Sequence, residues 1–333
     1  MAYLAHFRPD CKPESRMDEL RRPTCAGKVR RMNKHWPMMK PPRVPLAWMA
    51  GLLALGLVSA CAHIPIESHF SETARFDTFL GDVRQASERL GPERVLVVLD
   101  IDNTLLAMEQ GLGSDQWYEW QKTRYAEDRC DPRVVADRLA VQGALYFASA
   151  MRPTSADAAD AVRQIQDQGI RVIALTSRGT DFRLQTFREL RRNGFDFRRS
   201  PIGPTAGWHE DFIPDNGARP ARFEDGVFLT TGQHKGAMLD ALLRRTGHRL
   251  PGVILVLDDK QENLDAVTET FTRLGVPVRA WRFSGEDENV ASFDADESHA
   301  LWQAIRPSLE VLQQALGPDH YTLPADLRPA DCP

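Results

Sequence analysis

The chain has 333 residues, with 42 Lys+Arg against 46 Asp+Glu and a formal charge of −4. The first 60 residues hold 11 of the basic and 4 of the acidic side chains, which leaves 31 against 42 in the remainder, a charge of −11. So acidic a body lacks the basic face that nucleic-acid binders present, and no nucleic-acid partner is expected.

In chain order, residues 1–38 are basic, contain proline and lack periodicity, so no fold is assigned to them. Val44 to Ala60 is uncharged, follows Lys40 and Arg43, and ends Leu57-Val58-Ser59-Ala60-Cys61. A basic lead, an apolar middle and small residues before a cut make a secretory signal over 39–60. The stretch falls short of the about 20 apolar residues of a membrane span and contains Pro45. Met38 or Met39 is accordingly expected as the true start, with 1–38 an extension in front of it. Within 61–90, residues 62–75 read as a polar tether and 76–90 as an amphipathic helix. The body over 91–316 then alternates: strand 95–99, helix 154–168, strand 170–175, helix 180–192, helix 235–246, strand 253–257, helix 260–273, strand 277–283 and helix 294–316. Such alternation implies an α/β domain with a doubly wound parallel sheet covered on both faces. Residues 317–333, with four prolines, read as a tail.

Two segments interrupt the alternation. Residues 105–150 carry Trp117, Tyr118, Trp120, Tyr125, Tyr146 and Phe147, most of them read as the core of a small inserted cap. Residues 200–224 hold four prolines and three glycines and read as a long loop, a kind of segment that often carries function. His209 within it is read as an exposed histidine in preference to a proton donor.

The residues suited to chemistry stand at strand ends. Val95-Leu96-Val97-Val98-Leu99 runs into Asp100-Ile101-Asp102-Asn103-Thr104, and ligands of open α/β sheets bind outside the carboxyl ends of the strands. A carboxylate there can act as a nucleophile when a cation and hydrogen-bond donors hold the group it attacks. Taken alone, Asp-x-Asp fits a turn or a helix cap equally well. The strand over 171–175 ends at Thr176-Ser177-Arg178, whose hydroxyls could donate to a phosphoryl oxygen. Thr230 to Gly236 opens a helix with the single lysine Lys235. The strand over 253–257 ends at Asp258-Asp259-Lys260, where adjacent carboxylates repel and a divalent cation would relieve them. The seven histidines after residue 60 form no His-x-x-x-His pair, so no zinc site is expected. The absence of a Gly-rich Lys-Ser/Thr loop or Gly-x-Gly-x-x-Gly argues against kinase and dinucleotide chemistry.

In order, Asp-x-Asp-x-Thr at 100–104, Thr176, Lys235 and Asp258-Asp259 resemble the four motifs of the haloacid dehalogenase (HAD) superfamily of phosphohydrolases, over residues 91–283. Thr176-Ser177-Arg178, followed by Thr186, Leu190 and Gly194, is similar to the secreted acid phosphatases of that superfamily. Gly113-Ser114-Asp115-Gln116-Trp117 and Met151-Arg152-Pro153-Thr154 resemble an uncharacterised bacterial branch, a domain of unknown function. The resemblance implies a HAD-like core with a small helical cap inserted after the first strand. It implies Mg2+-dependent hydrolysis of a small phosphorylated substrate, a phosphomonoester. Asp100 would attack the phosphorus to form an aspartyl-phosphate; Asp102 would protonate the leaving oxygen and then deprotonate the water. Asp100, Asp258 and the backbone carbonyl of Asp102 would hold the metal, with Asp259 a further ligand or an orienter of the ligands, and Thr176, Ser177 and Lys235 would hold the phosphoryl oxygens. Cys61, directly after the small residues, resembles the lipidated cysteine of bacterial lipoproteins. It implies a lipid-anchored protein of the cell envelope, held to a bacterial membrane and facing the periplasm or exterior. An oxidising compartment permits Cys130 and Cys332 to pair, and the sequence leaves open whether they meet.

Two rival readings stand beside this one. A HAD hydrolase acting on something other than a phosphate ester is disfavoured by Asp102, since dehalogenation has no leaving oxygen to protonate. A surface lipoprotein that binds a ligand or partner without turnover is the other, and the full motif set tells against it.

Overall fold

The computed structural model describes residues 66–200, 202–204, 207–316 and 332. The extension 1–38, the signal 39–60, Cys61 and the tail residues 317–331 and 333 lie outside them. The central strand β2 (Val95–Leu99) is buried at every residue, as an uninterrupted β-branched run in a parallel sheet should be. Its side chains alternate between two cores. Val95, Val97 and Leu99 pack with α1 (Phe76–Leu90) and α4 (Ala158–Asp167). Leu96 and Val98 pack with α6 (Lys235–Thr246) and α7 (Gln261–Arg273).

The seven-stranded sheet runs in the order β1 (His69–Thr73), β9 (Val278–Phe283), β8 (Val253–Asp258), β2, β5 (Arg171–Thr176), β7 (Val227–Leu229), β6 (Arg222–Glu224). All neighbours are parallel except β6 and β7. From β2 the chain passes outward through β5 and β7, then returns to the other side of β2 through β8 and β9. That reversal opens a crevice at the carboxyl ends of β2, β5 and β8. The α/β fold and doubly wound sheet are therefore as expected, and strands 95–99, 170–175, 253–257 and 277–283 lie within one residue of their expected bounds.

Three local readings are corrected. Residues 62–75 are not a tether throughout, because His69–Thr73 forms edge strand β1, paired with β9 from His69↔Arg279 to Thr73↔Phe283. Its sequence, His-Phe-Ser-Glu-Thr, gives little apolar alternation, since an edge strand is held chiefly by its backbone. The loop over 200–224 ends in a strand: β6 and β7 make a hairpin around Asp225 (φ 50°) and Gly226 (φ 78°), the two positive-φ positions of a type I′ turn. A Cβ on Gly226 would overlap the Phe197 carbonyl. The helix expected from 154 begins at Ala158.

Between β2 and α4 the chain builds the cap. A two-stranded antiparallel ribbon of β3 (Leu106–Met108) and β4 (Met151–Pro153) forms its base. Helices α2 (Asp115–Glu127) and α3 (Arg138–Ala148) stand on it, N-capped by Ser114 and Asp137, which accept from the backbone N–H of Trp117 and Ala140. After α5 (Arg183–Arg192), α6, α7 and the short α8 (Asp287–Ala291), the last helix, α9 (Ala295–Leu316), lends Trp302 and Leu309 to the cap core of Leu112, Trp117, Val141 and Leu145. Of the cap aromatics, Trp117 is thus core as expected, whereas Tyr125 and Phe147 are exposed. Cys130 in the α2–α3 loop is bonded to Cys332, their Cα atoms 5.3 Å apart. Among the described residues no helix is long and apolar enough to cross a membrane.

Asp131, beside that disulfide, is buried. Its carboxylate accepts from Arg133 Nη2 and Arg124 Nε, both at 2.7 Å, and from the Arg133 backbone at 2.8 Å. The Arg133 hydrogen bond, against the opposing effect of burial and with the help of Arg124, holds the carboxylate well below its ordinary range. A folded-state pKa below the unfolded value of about 3.9 contributes stability above that pH, and the contribution is lost as pH falls through and below it. Asp131→Asn is expected to lower Tm by about 2–8 °C at pH 7, a loss of about 1–3 kcal/mol in a domain of this size. The gap to wild type should narrow steadily as pH falls from 5 to 2. Thermal melts across that range check it, and a gap independent of pH would refute it.

Candidate active site

The β2–β8 register pairs Leu99 with Leu257, so the next residues on each strand, Asp100 and Asp258, stand side by side. Adjacent strands lie about 4.8 Å apart, and both carboxylates are buried. Lys235 answers that repulsion. Its ammonium donates to Asp100 Oδ1 and to Asp258 Oδ2, both at 2.6 Å, and the side chain is 2 % exposed. A cation at the first position of α6 opposes the helix dipole, and two carboxylates outweigh that cost. Gly236 makes the placement feasible, because a Cβ there would overlap the Ala266 carbonyl and the Thr270 hydroxyl of α7. Asp258 Oδ1 is held in turn by the Lys260 backbone N–H at 3.0 Å and Asn263 Nδ2 at 2.9 Å.

Asp100, Asp258 and Asp259 each offer a carboxylate oxygen, all within 4.8 Å of one another. Asp259 Oδ1 is buried with no hydrogen-bond partner. Three carboxylates, one of them with an orphaned oxygen, fit a hard divalent cation such as Mg2+. The crowding is visible in their acidities. Burial, then the Asp258 charge, raise Asp100 to about 7 against the pull of Lys235. Burial, then Asp100 and Asp258, raise Asp259 to about 9. Burial disfavours the charged form of Lys235, yet its two carboxylates raise its pKa overall.

Asp102 is differently placed. Directly after it, Asn103 adopts φ 53° and donates its N–H to the Leu106 carbonyl, turning the chain into the cap. The Asp102 carboxylate takes a bidentate contact from Arg178, Nε to Oδ2 at 2.9 Å and Nη2 to Oδ1 at 2.8 Å, and a third hydrogen bond from the Tyr146 hydroxyl at 3.1 Å. Burial would raise its pKa, but Arg178 and Tyr146 outweigh burial and the net effect is downward. Lys260 also joins core to cap, with Nζ 2.9 Å from Asp115 and 3.0 Å from Glu119 of α2.

These groups border a cleft of about 820 Å3 that also takes in Ser177 and His234. Of the expected site residues, Asp100, Asp102, Ser177, Lys235 and Asp259 line it, and Asp258 is buried against Lys235. Thr176 is fully buried, its hydroxyl accepting from the Arg178 backbone N–H at 3.1 Å; of the two expected hydroxyls, Ser177 is the exposed one. His209 is exposed, and its carbonyl accepts from Arg222. Arg178, Tyr146, Lys260, Asp115 and Glu119 were not among the expected site residues. Arg178 and Lys260 had a readable signal, since each follows a strand end that already carried a motif.

The fold and site define an α/β domain with a carboxylate-rich centre at the switch point of its sheet, covered by an inserted cap. The chain belongs to the family described as protein of unknown function (DUF2608), whose model matches residues 72–314. No curated protein matches the sequence. Among solved structures, the HAD domain of the effector protein Lem4 from Legionella pneumophila is similar at 16% identity and a TM-score of 0.32, covering 64% of this chain and 95% of that one.

Lys235→Met would leave Asp100 and Asp258 buried without their shared cation. Breaking a buried pair in this way costs about 3–5 kcal/mol. The variant is expected to lose about that much stability in chelator and to regain more Tm than wild type on adding Mg2+. Urea unfolding with and without metal checks this; a variant as stable as wild type in chelator would refute it.

Proposed function

We propose that the domain is a Mg2+-dependent phosphomonoester hydrolase of the HAD type, working through an aspartyl-phosphate on Asp100. The observation that carries the reading is Lys235 bridging Asp100 and Asp258 next to the orphaned Asp259 oxygen. Four carboxylates and a phosphoryl group can share one pocket only when positive charge is brought to them. Asp100, Asp258 and Asp259 would hold the cation, which when bound supplies charge against the phosphoryl oxygens. Lys235 and the exposed Ser177 hydroxyl would meet those oxygens from the protein side. An Asp100 oxygen attacks phosphorus as the bond to the leaving oxygen breaks; water then attacks the same phosphorus and the Asp100 carboxylate is released. Asp102, which its three donors keep ionised, is the carboxylate that would take the water's proton. Its earlier task, giving a proton to the leaving oxygen, requires it to take one up against Arg178.

Turnover of an aryl phosphate by the purified protein is expected to stop in chelator and to return with Mg2+. Asp100→Asn should abolish it, because an amide is a poor nucleophile, and should leave no phosphate on the chain in acid-quenched mass spectra. Full activity in excess chelator, or phosphate carried on a residue other than Asp100, would overturn the reading.

The protein is also proposed to be lipid-anchored at Cys61 in the cell envelope of a bacterium, facing the periplasm or exterior. Support comes from the basic, apolar and small-residue order that ends at Cys61, and from the Cys130–Cys332 bond, which an oxidising compartment allows. Acyl chains contribute about 0.8 kcal/mol per buried CH2. Cys61→Ala is therefore expected to move the protein from the membrane to the soluble fraction and to end labelling by a fatty-acid probe. Unlabelled wild-type protein would refute the anchor.

A further inference from the structure

We propose that Tyr146, carried by the cap on α3, is a positioning residue that aims the Asp102 carboxylate at the hydrolytic water, so that clearing the aspartyl-phosphate depends on a seated cap. The inference rests on the hydrolase reading above. A carboxylate offers about four lone-pair sites. On Asp102, Arg178 Nη2 and the Tyr146 hydroxyl both donate to Oδ1, and Arg178 Nε donates to Oδ2. One site remains, and it is on Oδ2. When water attacks phosphorus and the bond to Asp100 breaks, the water's proton passes to that remaining site. Without the phenol, Oδ1 would compete for the proton and the water would have two approaches instead of one.

Tyr146 is itself held from the core. The Arg178 guanidinium lies over its ring, 4.7 Å from the centroid, and Phe182 meets the ring edge-on at 5.6 Å. Helix α3 ends at Ala148, where its last carbonyls have no partner within the helix. Arg188 of α5 donates to the Tyr146 and Phe147 carbonyls at 2.7 Å, and to that of Ser149 at 2.8 Å. The hydroxyl therefore reports where the cap sits relative to the strand ends.

Tyr146→Phe deletes the hydroxyl and keeps the ring. The probe is para-nitrophenyl phosphate, whose leaving group departs without a proton, so that clearing the phosphoenzyme governs kcat. The variant is expected to lose about 10- to 100-fold in kcat, part of the 10²–10⁴ that acid–base help supplies. KM should fall in proportion and kcat/KM should stay within about threefold, because the first step is spared. Phosphate on Asp100 should accumulate in acid-quenched samples. Tyr125→Phe, which removes an exposed hydroxyl of the same cap, should behave as wild type. An unchanged kcat, or a loss falling equally on kcat/KM, would overturn the positioning role and leave the hydrolase standing. A wild type that neither turns over nor carries phosphate on Asp100 would overturn the hydrolase reading and this inference with it.

Discussion

Asp100 and Asp258 are forced together by the parallel register of β2 and β8, and the ammonium of Lys235 between them makes that proximity tolerable. Much of the surrounding chain can be understood as what it takes to bring one lysine there. Helix α6 has to begin at the cleft, which Gly236 allows by letting it close on α7. The segment before it has to turn sharply, and Thr231 (φ 56°) and Gly232 (φ 63°) do so in the left-handed region while donating their N–H groups to the carbonyls of Arg178 and Ser177. Left-handed backbone at a residue such as Thr231 is costly and persists only where its surroundings fix it. The strand-end segments after β5 and before α6 are thereby zipped to each other.

The acidic residues divide into two groups by what neutralises them. Asp100 and Asp258 share a lysine, and Asp259 beside them has an oxygen left over, a set that fits a divalent cation. Asp102 has no such charge deficit, since the Arg178 guanidinium neutralises it and the Tyr146 phenol adds a further donor. Two residues of separation in the sequence thus give two carboxylates of opposite character, one pushed up and one pulled down in pKa.

The central strands of the sheet were legible because they are buried on both faces, and uninterrupted runs such as Val95–Leu99 and Val253–Leu257 have few other uses. The four motif positions were legible for the same reason, each being the first polar residue after such a run or at the start of the helix that follows one. What escaped has physical causes. Strand β1 is bound through its backbone and shows no apolar period. The β6–β7 hairpin is three residues on each side, too short for a periodicity, although Asp225-Gly226 marked it. Tyr146 sits in an aromatic-rich segment where composition cannot separate a core ring from one whose hydroxyl reaches a carboxylate 44 positions away. Arg178 and Lys260 find their partners across long separations, which no local pattern encodes.

The Cys130–Cys332 bond is separated by 202 positions, and the stretch it closes includes α3, the strand ends at Thr176 and Asp258, Lys235 and the helix that completes the cap core. Topologically, that part of the protein is a ring with the β2 segment entering it at Cys130. A protease that cut any one exposed turn inside the ring, such as the Pro- and Gly-rich stretch after residue 200, would make a nick and not a fragment. Both cut ends would remain covalently attached to the segment bearing Asp100 and Asp102.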